Sequence, residues 1–130
     1  MTENTQIKIF EEKQVRTLWD KDKEEWYFSV IDVVAVLTES KDATAYWRKL
    51  KQRLKAEGNE TVTNCHGLKM LAPDGKMRLT DCLNTEQLFR LIQSIPSPKA
   101  EPFKLWMAQV AKERLDETQE LSLNIKLGKQ

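Results

Sequence analysis

The chain has 130 residues, 40% hydrophobic and 32% charged, with four Trp, four Phe and two Tyr and few Gly or Pro, which excludes extensive disorder and suits one domain with one core. No apolar run approaches the ~20 residues that cross a bilayer, and Met1–Gln6 lacks the charged and apolar regions of a secretory signal. The expectation is a cytoplasmic protein without membrane contact, whose Cys65 and Cys82 stay free structural thiols.

Three short segments rich in β-branched and aromatic residues come first: Ile7–Phe10, Val15–Trp19 and Trp26–Val30. Polar turns such as Asp20–Glu25 separate them, predicting an antiparallel meander. Strict alternation of Trp26, Phe28 and Val30 gives that sheet an apolar side. Ser29 is placed to cap a helix through Leu37, with Asp32 facing its free N–H groups and Val30, Val33, Val34 and Leu37 forming its apolar face.

After a turn over Thr38–Lys41, a second helix is predicted from about Asp42 to Ala56, stopped by Gly58. Between Lys41 and Lys55 lie six basic side chains and one acid, Asp42, although the whole chain is only +1. The rest of the chain is therefore net acidic, and the segregated charge is the footprint of a surface that tracks a phosphate backbone. Ala43, Trp47, Leu50 and Leu54 recur at helical spacing and face a core, leaving Lys41, Thr44, Arg48, Lys51, Gln52 and Lys55 opposite. A lysine-rich face is also what a merely solvated helix shows. Tyr46, beside Trp47, suits either base stacking or covering the core edge. Helix, short turn, helix is the order of a helix-turn-helix.

Thr61–Cys65 and Leu68–Thr80 read as strands, the latter broken at Pro73-Asp74-Gly75 into a hairpin. Leu68, Met70, Met77 and Leu79 are expected on one face and Lys69, Lys76 and Arg78 on the other, a basic arm like the wing of winged-helix proteins. Asn84 with Gln87 predicts a capped helix carrying Leu88, Phe89, Leu91, Ile92 and Ile95 up to Pro96. Residues 96–102 form a rigid connection to a last helix with Phe103, Trp106, Met107, Val110 and Leu115, whose regular start Pro102 delays by a turn. Periodicity weakens from Thr118, so residues 118–130 are expected as a tail, disordered or completed by a partner.

Cys65-His66 with Cys82 supplies only three soft ligands without paired CxxC spacing, too few for structural zinc. Asp74 and Asp81 flank the hairpin as a conceivable magnesium pair of a nuclease, yet an aspartate in a Pro-Asp-Gly turn is ordinarily a turn residue. There is no glycine-rich phosphate loop, no GxSxG elbow, and His66 is the single histidine, so neither an enzyme nor a cofactor is expected.

The runs Trp26-Tyr27-Phe28-Ser29-Val30-Ile31-Asp32-Val33, Tyr46-Trp47, Asp74-Gly75-Lys76, Thr80-Asp81 and Arg90 through Ser97-Pro98-Lys99-Ala100-Glu101-Pro102-Phe103-Lys104-Leu105-Trp106 resemble the Bro-N domain, the amino-terminal module of baculovirus BRO proteins and of many phage and prophage antirepressors. The resemblance spans about Ile7–Glu117 and sets the expected domain at 7–117. It implies nucleic-acid binding, usually DNA, in regulators of transcription or of viral and prophage decisions. It also implies no enzyme, and it transfers no contact residue.

The expectation is thus an α+β fold, with a small antiparallel sheet, a β-hairpin, about four helices and a helix-turn-helix or winged-helix-like element. From charge and periodicity, Lys41, Arg48, Lys49, Lys51, Arg53 and Lys55 neutralise phosphates. Thr44 and Gln52 reach base edges, and Lys69, Lys76 and Arg78 add backbone contacts. A homodimer is expected because one module offers limited contact area. The rival reading is an interaction module that grips a repressor protein without DNA.

Overall fold

The computed structural model describes residues 5–60 and 65–113. Along the chain run β1 (Thr5–Phe10), β2 (Lys13–Asp20), β3 (Glu25–Ser29), α1 (Val30–Thr38), α2 (Ala43–Ala56), β4 (His66–Leu71), β5 (Met77–Asn84), α3 (Thr85–Ile92) and α4 (residues 100–113). The five strands form one antiparallel sheet in the order β1-β2-β3-β5-β4, so the class is α+β as the sequence predicts. Of the strand expected over Thr61–Cys65, residues 61–64 lie outside the described residues, as do Leu115 and the tail 118–130.

Local chemistry sets the helix ends. The Ser29 hydroxyl accepts from the Asp32 N–H, and the Asp42 carboxylate from the Ala45 N–H. Asn84 and Gln87 form a full capping box. At the end of α2, Gly58 takes φ 75°, with Asn59 N–H donating to the Leu54 carbonyl and Gly58 N–H to that of Lys55. That is the paired hydrogen-bond pattern of a Schellman stop, and it favours glycine. Pro102 does not delay α4, which is helical from residue 100: in a first turn its missing N–H has no intrahelical partner to lose.

The pairings sort side chains by face. Val15, Trp26, Phe28 and Leu83 share the face that packs against the helices in the main core. There they meet Val33, Trp47, Leu50, Leu88, Phe103 and Met107. The opposite face carries a second, smaller cluster of Leu18, Tyr27, Met70 and Cys82. The sheet curls around it far enough for its two outer strands to touch: the Leu71 N–H in β4 donates to Thr5 Oγ1 in β1 at 3.1 Å. Further along β1, Trp106 Nε1 of α4 donates to the Ile9 carbonyl at 2.9 Å.

Arg16 ties this curl together. Its guanidinium grips the Asp32 carboxylate with two bonds, Nε at 2.8 Å and Nη2 at 3.0 Å, while its backbone N–H reaches the same carboxylate at 2.9 Å. Further bonds run to Ser29 Oγ and to the Leu71 carbonyl. The hydrogen bond to Asp32 raises the Arg16 pKa against the opposing effect of burial, so the guanidinium stays charged. One side chain thereby joins β2, the start of α1 and the end of β4.

One expectation about the hairpin is corrected. The arm is continuous with the sheet, because β5 runs on to Asn84 and pairs with β3 through Tyr27↔Asn84, Phe28↔Leu83 and Ser29↔Cys82. Its faces, however, differ from the predicted ones. The predicted grouping of Met70 with Met77 requires an even-length loop, but Ala72 and Lys76 close a three-residue turn over Pro73-Asp74-Gly75, with Gly75 at φ 85°. That one-residue difference flips every later side chain. Leu68 and Met70 therefore share a face with Arg78 and Thr80, whereas Lys69 and Leu71 share one with Met77 and Leu79.

Candidate nucleic-acid interface

α2 forms where Ala, Leu, Lys, Arg and Gln, all strong helix formers, follow the Asp42 cap. Its buried stripe is Trp47, Leu50 and Leu54, as its spacing predicts. At about 100° per residue the remaining side chains divide into two flanks and a crest. Thr44, Arg48, Lys51 and Lys55 lie on the flank nearer β5. Lys49 and Gln52 lie on the crest, and Arg53 lies with Tyr46 on the far flank. Thr44, Arg48, Lys49, Gln52, Arg53 and Lys55 are exposed, as is Lys41 in the preceding turn.

The near flank is fixed by Asp81 of β5. One carboxylate oxygen accepts from Trp47 Nε1 at 2.8 Å and from Lys51 Nζ at 2.9 Å, and Lys51 also sits over the Trp47 ring. Burial alone would raise the Asp81 carboxyl, but these two hydrogen bonds and the charges of Lys51 and Lys55 hold it below its ordinary 3.8. Lys51 is thus partly committed to the fold, its side chain 31% exposed. Arg48, Lys49 and Lys55 make no ion pair with any of the described residues. Arg53 reaches Glu57 only at 3.9 Å and the Ser94 carbonyl at 3.5 Å, and with Tyr46, Lys49 and Leu50 it lines a shallow concavity of about 290 Å³.

The hairpin contributes less charge to this side than expected. Lys69 is exposed on the face that continues from Asp81, whereas Arg78 lies on the other face. The Arg78 guanidinium is bound to the Asp74 carboxylate, which also accepts the Lys76 N–H and is held below its ordinary pKa, chiefly by the Arg78 hydrogen bond. The turn thus places Lys76 and Arg78 away from α2, correcting the expected single basic side. Beside Lys69, and unremarked by charge reading, Leu71, Met77 and Leu79 stand 41%, 44% and 73% exposed. Their face is set by the odd length of the turn, which the structure shows and the Pro73-Asp74-Gly75 run does not.

Elsewhere the chemistry is quiet. Asp74 and Asp81 are each engaged by a cation, and no group of three or more His, Cys, Asp or Glu suited to a metal occurs among the described residues. Burial pushes the Cys65 thiol up to about 11 and the Cys82 thiol up to about 12, which leaves both protonated at neutral pH. His66 packs edge-on against the Tyr27 ring. A cavity of about 410 Å³ near Trp19, Trp26 and Phe89 is rimmed by Glu24, Glu25 and Glu86, a charge that repels phosphate. Among the described residues no helix is long and apolar enough to cross a membrane.

Comparison with known families places these features in a context. The family model of Bro-N, the BRO family N-terminal domain, matches residues 14–113. No curated protein and no solved structure matches the chain.

Proposed function

Because the chain belongs to the BRO family by its N-terminal domain, we propose that it is a DNA-binding regulator of the prophage antirepressor type, acting by equilibrium binding rather than catalysis. The observation that carries this reading is α2: it buries Trp47, Leu50 and Leu54 and leaves Arg48, Lys49 and Lys55 exposed without an acidic partner among the described residues. In this reading those three, with Lys41 and Arg53, neutralise phosphates. Thr44 and Gln52, on the near flank and the crest, reach base edges, and Lys69 adds a backbone contact. Lys51 contributes after sharing its charge with Asp81, while Lys76 and Arg78 touch DNA only where it wraps the turn. Two copies related by a two-fold axis would double the contact area, and the homodimer is part of the proposal.

A fluorescence-anisotropy salt series tests it. Generic duplex is expected to bind with a Kd of about 10⁻⁴ to 10⁻⁶ M at physiological salt and more tightly as salt is lowered. Arg48→Glu with Lys49→Glu should lower the salt slope by about two, roughly one per lost phosphate contact. An unchanged slope in the folded variant removes α2 from the interface. Duplex that fails to compete at any salt favours the rival, in which the same cations grip an acidic face of a repressor protein.

A further inference from the structure

Resting on the DNA-binding reading above, we propose that the hairpin arm inserts an apolar wedge, Leu79 with Met77 and Leu71, into the minor groove of duplex DNA and bends it. The three residues share one face of the β4–β5 arm because Lys69↔Leu79 and Leu71↔Met77 are cross-strand pairs. Leu79 lies over Gly67, where a β-carbon would stand 3.4 Å from Leu79 Cγ, so the leucine leans along the arm while most of it stays exposed. The strip begins one side-chain repeat, about 7 Å, along β5 from Asp81, the residue that pins Trp47 and Lys51 of α2. It is therefore continuous with the cationic flank.

The chemistry of the neighbours selects the occupant. Exposed Leu and Met gain nothing from phosphates, but they lose water against sugars, groove floors and the faces of unstacked bases. Cations alongside would hold the two backbones that border such a groove, and Lys69 stands within the strip itself. A second copy of the chain seated on the same strip by two-fold symmetry would bring the two Lys69 side chains together near the axis, a like-charge juxtaposition that disfavours it. The ligand class is consequently a deformable duplex, rich in pyrimidine–purine steps such as TA and CA, in preference to a stiff A-tract.

Duplexes labelled at both ends for energy transfer, one built around TA and CA steps and one around an A-tract, test this with the full chain. Wild type is expected to bend the first and to bind the second more weakly. Leu79→Ala, at an exposed position that the core does not need, should lose the bend and about tenfold in affinity for the flexible duplex while leaving A-tract affinity nearly unchanged. Leu79→Met should restore both. The wedge is overturned if Leu79→Ala binds and bends like wild type, or if it alters the sedimenting mass, which would place the strip between copies of the chain. Wild type that binds neither duplex overturns the DNA reading itself, and the wedge with it.

Discussion

Asp32 and Asp81 each receive a cation from an element distant in sequence, and the two sites behave differently. At the curl of the sheet, Arg16 meets Asp32 with two parallel bonds plus a backbone N–H, and the two side chains are 15% and 17% exposed. At the seam between α2 and β5, Lys51 meets Asp81 with one bond shared with an indole, and the side chains are 31% and 32% exposed. A planar guanidinium locked by four hydrogen bonds belongs wholly to the fold, whereas an ammonium on a flexible stem at the rim is divided between the fold and the surface. Counting basic residues along α2 therefore overstates the charge it can offer a ligand.

The largest effect should come from the enclosed site. Arg16→Ala leaves the Asp32 carboxylate half-buried without its main partner and frees the β4 border, so a loss of about 3 kcal/mol is expected in urea or thermal unfolding. A loss under about 1 kcal/mol would erase the contrast with the outer site.

Asp81→Asn sharpens the comparison from the other side. It should cost about 1–2 kcal/mol of stability, since the Trp47 N–H keeps an acceptor but Lys51 loses its counter-charge. Duplex affinity should nonetheless rise, with the salt slope steeper by about one as Lys51 becomes available. Stability and binding moving together would show that Lys51 serves only the fold.

The smallest effect is a pH dependence. The folded Asp81 pKa lies below 3.8, so its contribution is fully present above that value and is lost as pH falls through the lower folded value. Wild type should therefore lose more stability than Asp81→Asn on acidification from about pH 5 toward pH 2. Parallel unfolding curves for the two proteins over that range would contradict the assigned cause.

The elements that local pattern fixes were legible. Ser29 and the Asn84–Gln87 pair cap the helices that their residue types announce, Asp42 marks the start of α2, and the stripe of Trp47, Leu50 and Leu54 faces the core. Illegible were the contacts whose partners lie far apart. Arg16 binds Asp32 sixteen residues on and the Leu71 carbonyl fifty-five residues on, and no periodicity marks such a pair. The hairpin faces were misread because Pro73-Asp74-Gly75 gives the place of a turn without its length, and one residue decides which side Met77 and Leu79 take. Within the candidate interface, the exposure of Arg48, Lys49 and Lys55 followed from helical spacing. The diversion of Lys51 to Asp81 and of Arg78 to Asp74 did not, because composition counts cations without their counter-ions.

The meeting of the outer strands has a consequence for self-association. The Leu71 N–H and carbonyl in β4 are taken by Thr5 and Arg16, and the Ile9 carbonyl in β1 is taken by Trp106. At these points a neighbouring molecule finds no vacant rung on which to extend the ladder, although Ile7 and Ile9 are exposed and sticky. Three hydrogen bonds at the borders of the sheet thus oppose fibrillar stacking, and loosening the Trp106 anchor would free one rung for it.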